Sequence, residues 1–525
     1  MKNIMNNCYK SLAFVICILS SFSLNGQKMN QDSINGKINE NVNVAYGTLP
    51  AWFVTGAVST IKGKELEKSL TSNFSNTLIG RIPGLSVCKS KSEPGEDSPE
   101  MYIRGISTFG PGRQPLILVD GFESSMNNLI PHEIESVSLL KDAAATAIYG
   151  SKGANGVLLV KTKRGSTEGV KFEFNTQVGI QNPTHLPEFL GSYDYARLYN
   201  EGLVNDGKDP IYTPSDLEAY RAGNDPYFHP DVEWYDEVLR SYAPSSNYNI
   251  NVNGSGEFVR YYVLLNVLNR QGLFKKTEDL SEFSLDSKYR RYNLRTNLDI
   301  DFTKRLTGEF LFGGSVTDKS LPAGNTTASM FNLLASVPPN AFPVYNPNGT
   351  YGGNAMYHNP YGEILENGLY TSNMKNYQAI LKLTYQLDMI AEGLSISGAA
   401  SYSDYSDSYH NRTREYARFS LSRDEMENII YTKFGENTSL SGASGVNDHW
   451  SFYAVQAFVN YSRNFGQHFI DGMIMANSDH QKPAYAELPY KHNRIGGQFS
   501  YSYDKKYIGN FSFGYMGSEN FSEGN

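Results

Sequence analysis

From Val170 onward the chain repeats apolar and polar residues with a period of two. Val170, Phe172, Phe174, Thr176, Val178 and Ile180 alternate with Lys171, Glu173, Asn175, Gln177, Gly179 and Gln181. Tyr292, Leu294, Thr296, Leu298, Ile300 and Phe302 alternate with Asn293, Arg295, Asn297, Asp299 and Asp301. Successive side chains of a strand point to opposite faces, so each segment has one apolar and one polar face. The pattern recurs in Tyr377–Leu387, Leu394–Tyr402, Tyr453–Tyr461, Ile495–Tyr503 and Tyr507–Tyr515, and more weakly in 246–253, 258–271, 306–316 and 468–476. These make eleven candidate strands. Most exceed about 9 residues, the length that crosses a bilayer as a tilted strand.

The connections sharpen this reading. Residues 182–245, 272–289, 318–375, 403–449 and 477–493 are long or intermediate links. Between them lie 254–256, 303–305, 389–393, 464–466 and 504–506, all short. A barrel in an outer membrane sorts its links in this way, tight turns on one side and large loops on the other. A soluble sandwich also alternates in period two but has no cause to sort loops by side. The pattern therefore predicts a transmembrane antiparallel β-barrel. Tyr292, Tyr377, Tyr402, Tyr461, Tyr503 and Tyr507 stand near strand ends, where an interfacial aromatic girdle would place them. The modest mean hydropathy of −0.43 is then an average over two barrel faces. A net charge of −8 with no basic block argues against nucleic acid as a partner.

The N-terminus reads as an export signal over residues 1–26. Lys2 and Lys10 precede an apolar stretch from Leu12 to Leu24, too short to span a bilayer. Residues 27–57 read as a flexible leader, with Asn41–Thr48 as a short extended segment ending at a Gly turn. After cleavage Cys88 is the one remaining cysteine, expected to be a small packed residue. Residues 58–168 read as an α/β unit. Its elements are a helix from Ser72 to Gly80 burying Phe74, Leu78 and Ile79, and strands at 101–104, 115–119, 134–140 and 157–160. A helix after Asp142 is capped by that residue and closes at Gly150. An α/β unit placed before a barrel has the lumen as its natural place, since a large barrel must be plugged. Residues 169–525 are the barrel portion.

Five stretches in order resemble the plug of the TonB-dependent outer-membrane transporters, specifically the SusC/RagA group of Bacteroidetes. They are Leu78-Ile79-Gly80-Arg81-Ile82-Pro83-Gly84-Leu85, Ile103-Arg104-Gly105-Ile106-Ser107, and Pro115-Leu116-Ile117-Leu118-Val119-Asp120-Gly121. The fourth runs from Ile134 through Lys141, Asp142 and Ala143. The fifth runs from Ala147 through Tyr149, Gly150, Gly153, Asn155 and Gly156 to Val157. The resemblance implies a plug in a 22-stranded barrel of a Gram-negative outer membrane, and energised import of a bulky oligosaccharide or peptide. It implies TonB, driven by ExbB/ExbD, and a SusD-like surface lipoprotein as partners, with outer-membrane lipid around the barrel. It implies no enzyme activity and no cofactor. The family's TonB box would fall at Val42, Asn43, Val44, Ala45 and Tyr46, an extended peptide able to add a strand to a partner's sheet.

Eleven strands are about half of the family's barrel. An open sheet in lipid would leave two unpaired edges. The expectation is the N-terminal portion of a longer protein or a truncated copy without function. A receptor that signals across the membrane is the functional rival, and a passive porin or adhesin the structural one. Gly150, Gly153 and Gly156 follow a helix rather than opening one, which suits a tight turn better than a phosphate site. The nine His show no metal-ligand spacing and no nucleophile motif is present. Tyr351, Tyr357, Tyr361, Tyr405 and Tyr409 could stack on sugar faces but read first as loop-packing residues.

Overall fold

The alternation from Val170 onward becomes one antiparallel sheet. A computed structural model of the chain describes residues 41–69, 71–93, 95–109, 112–167, 169–275, 287–322, 326–484 and 488–519. The expected signal segment and leader residues 27–40 lie outside them. Residues 41–50 form a hairpin of β1 (Asn41–Val44) and β2 (Gly47–Pro50). The α/β unit holds β3 (Val58–Lys62), β4 (Leu85–Cys88), β5 (Glu100–Ile103), β6 (Leu116–Val119), β7 (Phe122–Glu123), β8 (Ile134–Leu140) and β9 (Val157–Thr162). Its main sheet has the order β3-β8-β9-β6-β7, with β6 and β9 parallel. Phe74, Leu78, Met126, Ile134, Leu139 and Leu158 fill its core.

The wall follows as β10 (Lys171–Gln181), β11 (Ala243–Ser255), β12 (Val259–Gln271), β13 (Lys288–Asp301), β14 (Leu306–Pro322), β15 (Gly368–Gln386) and β16 (Leu394–Thr413). The small hairpin β17 (Arg418–Arg423) and β18 (Ile429–Phe434) interrupts it. It resumes with β19 (Ser441–Phe465), β20 (His468–Pro483), β21 (Tyr490–Tyr503) and β22 (Tyr507–Ser518). The sheet has 11 strands in chain order, β10 to β16 and then β19 to β22. Each predicted strand is one of them. One face exposes Ile250, Leu265, Leu294, Phe310, Leu381, Val455, Ile474, Ile495 and Phe511 in a continuous apolar band. Tyr292, Tyr377, Tyr402, Tyr503 and Tyr507 are exposed on that same face. The other face presents Asn266, Arg295, Asn297, Gln456 and Arg494, all buried, the last four bonded to the α/β unit. No helix among the described residues is long and apolar enough to cross a membrane.

The structure corrects several details. The segment 403–449 is not one long loop: β16 runs on to Thr413 and β19 begins at Ser441. Ser, Tyr, Asp and Asn populate these extensions, so no apolar alternation marks them. The other large connections fold into helices Ser192–Asn205, Pro214–Ala222, Trp234–Val238, Thr327–Ser336 and Pro360–Glu366. Trp234, Val238, Met330, Leu334, Phe342, Ile364 and Leu365 make a separate core there. Tyr351 packs on Tyr345 and Tyr416 in this region, and Tyr361 on Tyr345. Tyr405 and Tyr409 sit on β16 rather than in a loop, stacked on Trp450 and Tyr370. The helix expected at Ser72–Gly80 is a 3-10 turn over Phe74–Leu78. The chain turns extended at Ile79, which leaves that side chain exposed. Cys88 is exposed. It ends a strand whose inward positions are Leu85 and Val87, so period two turns it outward.

The α/β unit meets the wall through polar contacts. Arg295 Nε donates to Glu133 Oε2 at 2.7 Å, with both side chains buried. Glu133 Oε1 accepts from the Ile130 amide at 2.8 Å. Asn297 donates to Thr162 and to the Lys163 carbonyl, each at 2.8 Å. Tyr262 donates to the His132 carbonyl at 2.8 Å. Lys152 joins Glu123 and Asp479 at 2.8 and 2.9 Å.

Two predictions follow from this seam. Arg295→Met leaves Glu133 charged and buried without its partner, a change that costs about 3 kcal/mol. The amides of β8 are then expected to exchange roughly a hundredfold faster by mass spectrometry; wild-type exchange rates would show that the pair anchors nothing. Burial holds the His132 imidazole below its ordinary value of 6.5, so the folded unit keeps it neutral. The unfolded chain takes up the proton first as pH falls through that value, so stability present above it is lost below it. With the intrinsic pH dependence of amide exchange divided out, the protection factors at β8 are expected to fall between pH 7.5 and pH 5.5, and His132→Asn to flatten that slope.

Candidate functional site

The hairpin β1–β2 is the element on which the sequence reading and the structure differ most. The leader was expected to be flexible here, and its Val42–Tyr46 stretch extended and free. Instead Asn43 Nδ2 donates to Ser136 Oγ on β8 at 2.7 Å. Ala45 is buried, and Tyr46 closes the turn with a left-handed φ of 53°. The Tyr46 ring lies 5.2 Å from that of Tyr149 and 5.4 Å from that of Phe458 on β19. Its hydroxyl accepts from Arg494 Nη2 at 2.7 Å. Arg494 Nη1 donates to the Tyr149 carbonyl at 3.1 Å. One guanidinium on β21 thus ties the hairpin and the α/β unit to the wall. Burial pushes the Tyr46 phenol up to about 12 and raises that of Tyr149 as well, so both rings stay neutral.

Most of the motif residues act inside the α/β unit. Arg81 donates to the Glu65 carbonyl and to Ser69. Lys141 Nζ reaches Ser59 Oγ at 2.6 Å and the Pro83 carbonyl at 3.1 Å. Gly84 has a φ of 92° and its carbonyl accepts from the Arg104 amide at 3.0 Å. Arg104 and Gly105 form an exposed left-handed turn. Asp120 accepts from the Thr162 amide and hydroxyl at 3.0 and 2.7 Å, closing β6 onto β9. Asp142 caps the following helix through the Ala145 amide at 2.8 Å and also holds the Ala57 amide at 2.5 Å. That helix covers only Ala143–Thr146. A 3-10 turn follows and continues past Gly150, which is non-helical. Asn155 bridges Ser107 and the Gly112 carbonyl at 2.7 and 2.6 Å. A Cβ on Gly156 would come within 2.4 Å of Ile103, and one on Gly153 within 3.0 Å of the Thr146 carbonyl. The glycines serve close packing and turns.

Several motif positions reach the wall: Tyr149 through Arg494, Ile148 against Gly496, Gly150 and Ser151 against Met516, Lys152 on Asp479, and Gly121, whose carbonyl accepts from Gln456 Nε2 at 3.2 Å. Arg494, Gln456 and Asp479 escaped the sequence reading. The available signal was an isolated Arg, Gln or Asp at an inward position of a wall strand.

Between hairpin, α/β unit and wall lies a cavity of about 490 Å³, at the end of the barrel where the turns are short. Asn43, Val44, Tyr46 and Thr48 line one side. Asp120, Arg164, Arg260, Asp299, Glu309 and Lys382 give it a mixed-charge rim. Arg164 pairs with Asp299 and Glu309 at 3.0 and 3.1 Å. No group of His, Cys, Asp and Glu among the described residues could hold a metal ion.

Comparison with known proteins fits this architecture. The TonB-dependent Receptor Plug Domain model matches residues 51–157. TonB-dependent receptor P26 of Formosa agariphila is 27% identical over 411 residues, covering 77% of this chain and 38% of that protein. TonB-dependent receptor SusC of Bacteroides thetaiotaomicron is 29% identical over 276 residues, covering 50% and 25%. The RagAB peptide transporter structure superposes with a TM-score of 0.69 at 16% identity, over 90% of this chain and 56% of that one. The chain spans about half or less of the length of the curated relatives it matches.

Charge-assisted hydrogen bonds of the Arg494 kind are worth about 1.5–3 kcal/mol. In a Cys88→Ser background carrying Val44→Cys, Arg494→Met is expected to raise maleimide labelling of the hairpin roughly tenfold. Unchanged labelling would mean that the guanidinium does not hold it.

Proposed function

From a plug domain and part of an outer-membrane β-barrel of the SusC/RagA-type TonB-dependent transporters, we propose that this chain serves TonB-dependent import of a bulky nutrient, an oligosaccharide or a peptide. The observation that carries the reading is the docked hairpin. It sits at the short-turn end, which faces the periplasm in this class of barrel. Its two strands pair with no third strand among the described residues, so a strand edge stands open to a partner. An edge of that kind suits strand addition, with main-chain hydrogen bonds giving affinity. TonB, energised by ExbB/ExbD, is the partner this reading assigns to it.

At the other end, the helices around Trp234 and Met330 and the tall strands β16 and β19 form the nutrient-receiving side. A surface lipoprotein of the SusD kind would close over it. Binding there shifts the population of plug states, and the protein contributes a difference in affinity between those states rather than chemistry. RagAB is a peptide transporter by its description and SusC is a TonB-dependent receptor by its own; each supports import without choosing the nutrient.

Deleting residues 42–48 from the full-length protein in its own cell separates this reading from a passive pore. Uptake of fluorescent oligosaccharide and peptide pools is expected to be lost while their binding to the cell surface persists. Undiminished uptake by the deletion strain would sink coupled import.

A further inference from the structure

The tall strands β16 and β19 carry inward side chains that hold neither the α/β unit nor the hairpin. Tyr405 on β16 stands directly opposite Trp450 on β19. Their rings are stacked, 5.7 Å apart and 20° from parallel. Trp450 packs on the cluster of Phe122 and Phe452, so the pair stands where the upper face of the α/β unit ends. Four residues further up β16, about 13 Å at strand rise, Tyr409 stacks on Tyr370 of β15 with centroids 6.0 Å apart. All four rings are half-buried. Between the two pairs a bulge breaks the ladder: Asp407 faces Asp448, Ser408 faces Val446, and Asn447 is the extra residue. The Asn447 amide donates to the Tyr370 hydroxyl at 2.7 Å and to Asp407 at 2.9 Å. Asp407 also accepts from Ser372 at 2.5 Å, and Asp448 is exposed. Bulges re-aim side chains, and this one sets an amide and two carboxylates between two flat platforms. Below the lower pair the same face is short of partners. Ser401, Ser403 and Gln378 are 4%, 1% and 7% exposed, and Ser401 Oγ, Ser403 Oγ and Gln378 Nε2 have no hydrogen-bond partner among the described residues.

Resting on the import reading above, we propose that this inner face of β15, β16 and β19 is a track for a linear oligosaccharide. A pyranose ring has apolar C–H faces and a rim of hydroxyls. Flat aromatic rings suit the faces. Asp407, Asp448 and Asn447 suit the rim, as acceptors and donor. A hydroxyl both donates and accepts, so one chain of them satisfies Ser401, Ser403 and Gln378 alike. A ligand without such groups leaves them buried and unpaired, which counts against it. An extended peptide fits less well. It binds a sheet by main-chain bonds to a free edge, and β16 has none, since β15 and β19 pair along its two sides. The two platforms stand too far apart for one sugar ring to touch both. The track therefore favours chains over their short fragments, with Trp450 and Tyr405 holding one part of the chain and Tyr409 and Tyr370 another.

The test is binding to the purified full-length protein. The probes are neutral oligosaccharides from partial hydrolysis of plant, algal and fungal glycans, sorted by length, and a random peptide pool. Long chains are expected to bind more tightly than disaccharides of the same composition. Trp450→Ala is expected to weaken long chains roughly tenfold, and Trp450→Tyr, which restores a ring, to recover most of that loss. Tyr409→Ala is expected to narrow the gap between long chains and disaccharides. Tyr402→Leu, on the outer face of the same strand, is expected to bind as the parent does. Heat-modifiable migration on gels verifies that each variant is a folded barrel. A folded Trp450→Ala protein that binds like the parent overturns the proposal, and so does a Tyr402→Leu protein that loses as much. Binding of peptides alone, or of neither pool, overturns it as well. The readout needs no TonB. Oligosaccharide binding at the track, with uptake undiminished after deletion of residues 42–48, would overturn coupled import and leave the track standing.

Discussion

Strands that face hydrocarbon on one side must turn their polar residues to the other, and the rest of this structure depends on how those residues are satisfied. Asn266, Arg295, Asn297, Gln456 and Arg494 all point away from the apolar band and are buried. Left without partners, each would cost about 1–3 kcal/mol. The α/β unit supplies the partners for Arg295, Asn297, Gln456 and Arg494: the Glu133 carboxylate, the Thr162 hydroxyl and the carbonyls of Gly121 and Tyr149. The unit is fixed to the wall by these polar bonds together with apolar patches, in which Leu116, Leu118 and Tyr149 pack with Phe458, Met473 and Met475, and Phe122 with Leu311, Ile380 and Phe452.

Two kinds of cohesion result. Within the α/β unit, Phe74, Leu78, Ile134, Leu139 and Leu158 are close-packed, and removing any one of them leaves a cavity. Across the seam, hydrogen bonds and ion pairs, which water can replace one at a time, stand beside smaller apolar patches. A unit built this way can loosen from the wall while it remains folded. The hairpin is attached through buried Ala45 and the Tyr46 ring, through one amide on Ser136 and through one guanidinium.

Much of this was legible in the sequence wherever a bilayer imposed a pattern. Leu265, Leu294, Leu381 and Ile495 could be placed on the outer face because hydrocarbon demands apolar residues at every second position. The upper halves of β16 and β19 were not legible. Outside the bilayer both faces are wet, and residues such as Ser406, Asp407, Ser408, Asn447 and Asp448 carry no alternation. The Asp142 cap, which uses an amide three residues on, was legible, whereas the contacts of Asp120 and Asn155 were not, since they reach residues 42 and 43 positions away. The seat of Tyr46 was not legible for a related reason. A polar-apolar alternation before a glycine describes a free strand and a docked hairpin equally well. Only Phe458 and Arg494, more than four hundred residues along the chain, decide between them.

The turn at Tyr46 carries the last part of the argument. A bulky residue at a φ of 53° is in a sparsely occupied region and costs on the order of 1–3 kcal/mol. Asn or Gly would fill that position without strain. The conformation holds because the ring is buried between Tyr149 and Phe458 and its hydroxyl is bound to Arg494. Burying a ring of this size returns about 2 kcal/mol or more, so the docked state is favoured by a narrow margin. Strain and seating are coupled: once the guanidinium shifts, the turn gains by relaxing and the ring leaves its seat. Arg494 also holds the Tyr149 carbonyl, and the same turn carries Lys152 against Asp479. A displacement of that turn therefore reaches Tyr46 through one side chain. The hairpin is thus seated by a narrow margin, and Arg494 is the side chain on which both its ring and the Tyr149 turn depend.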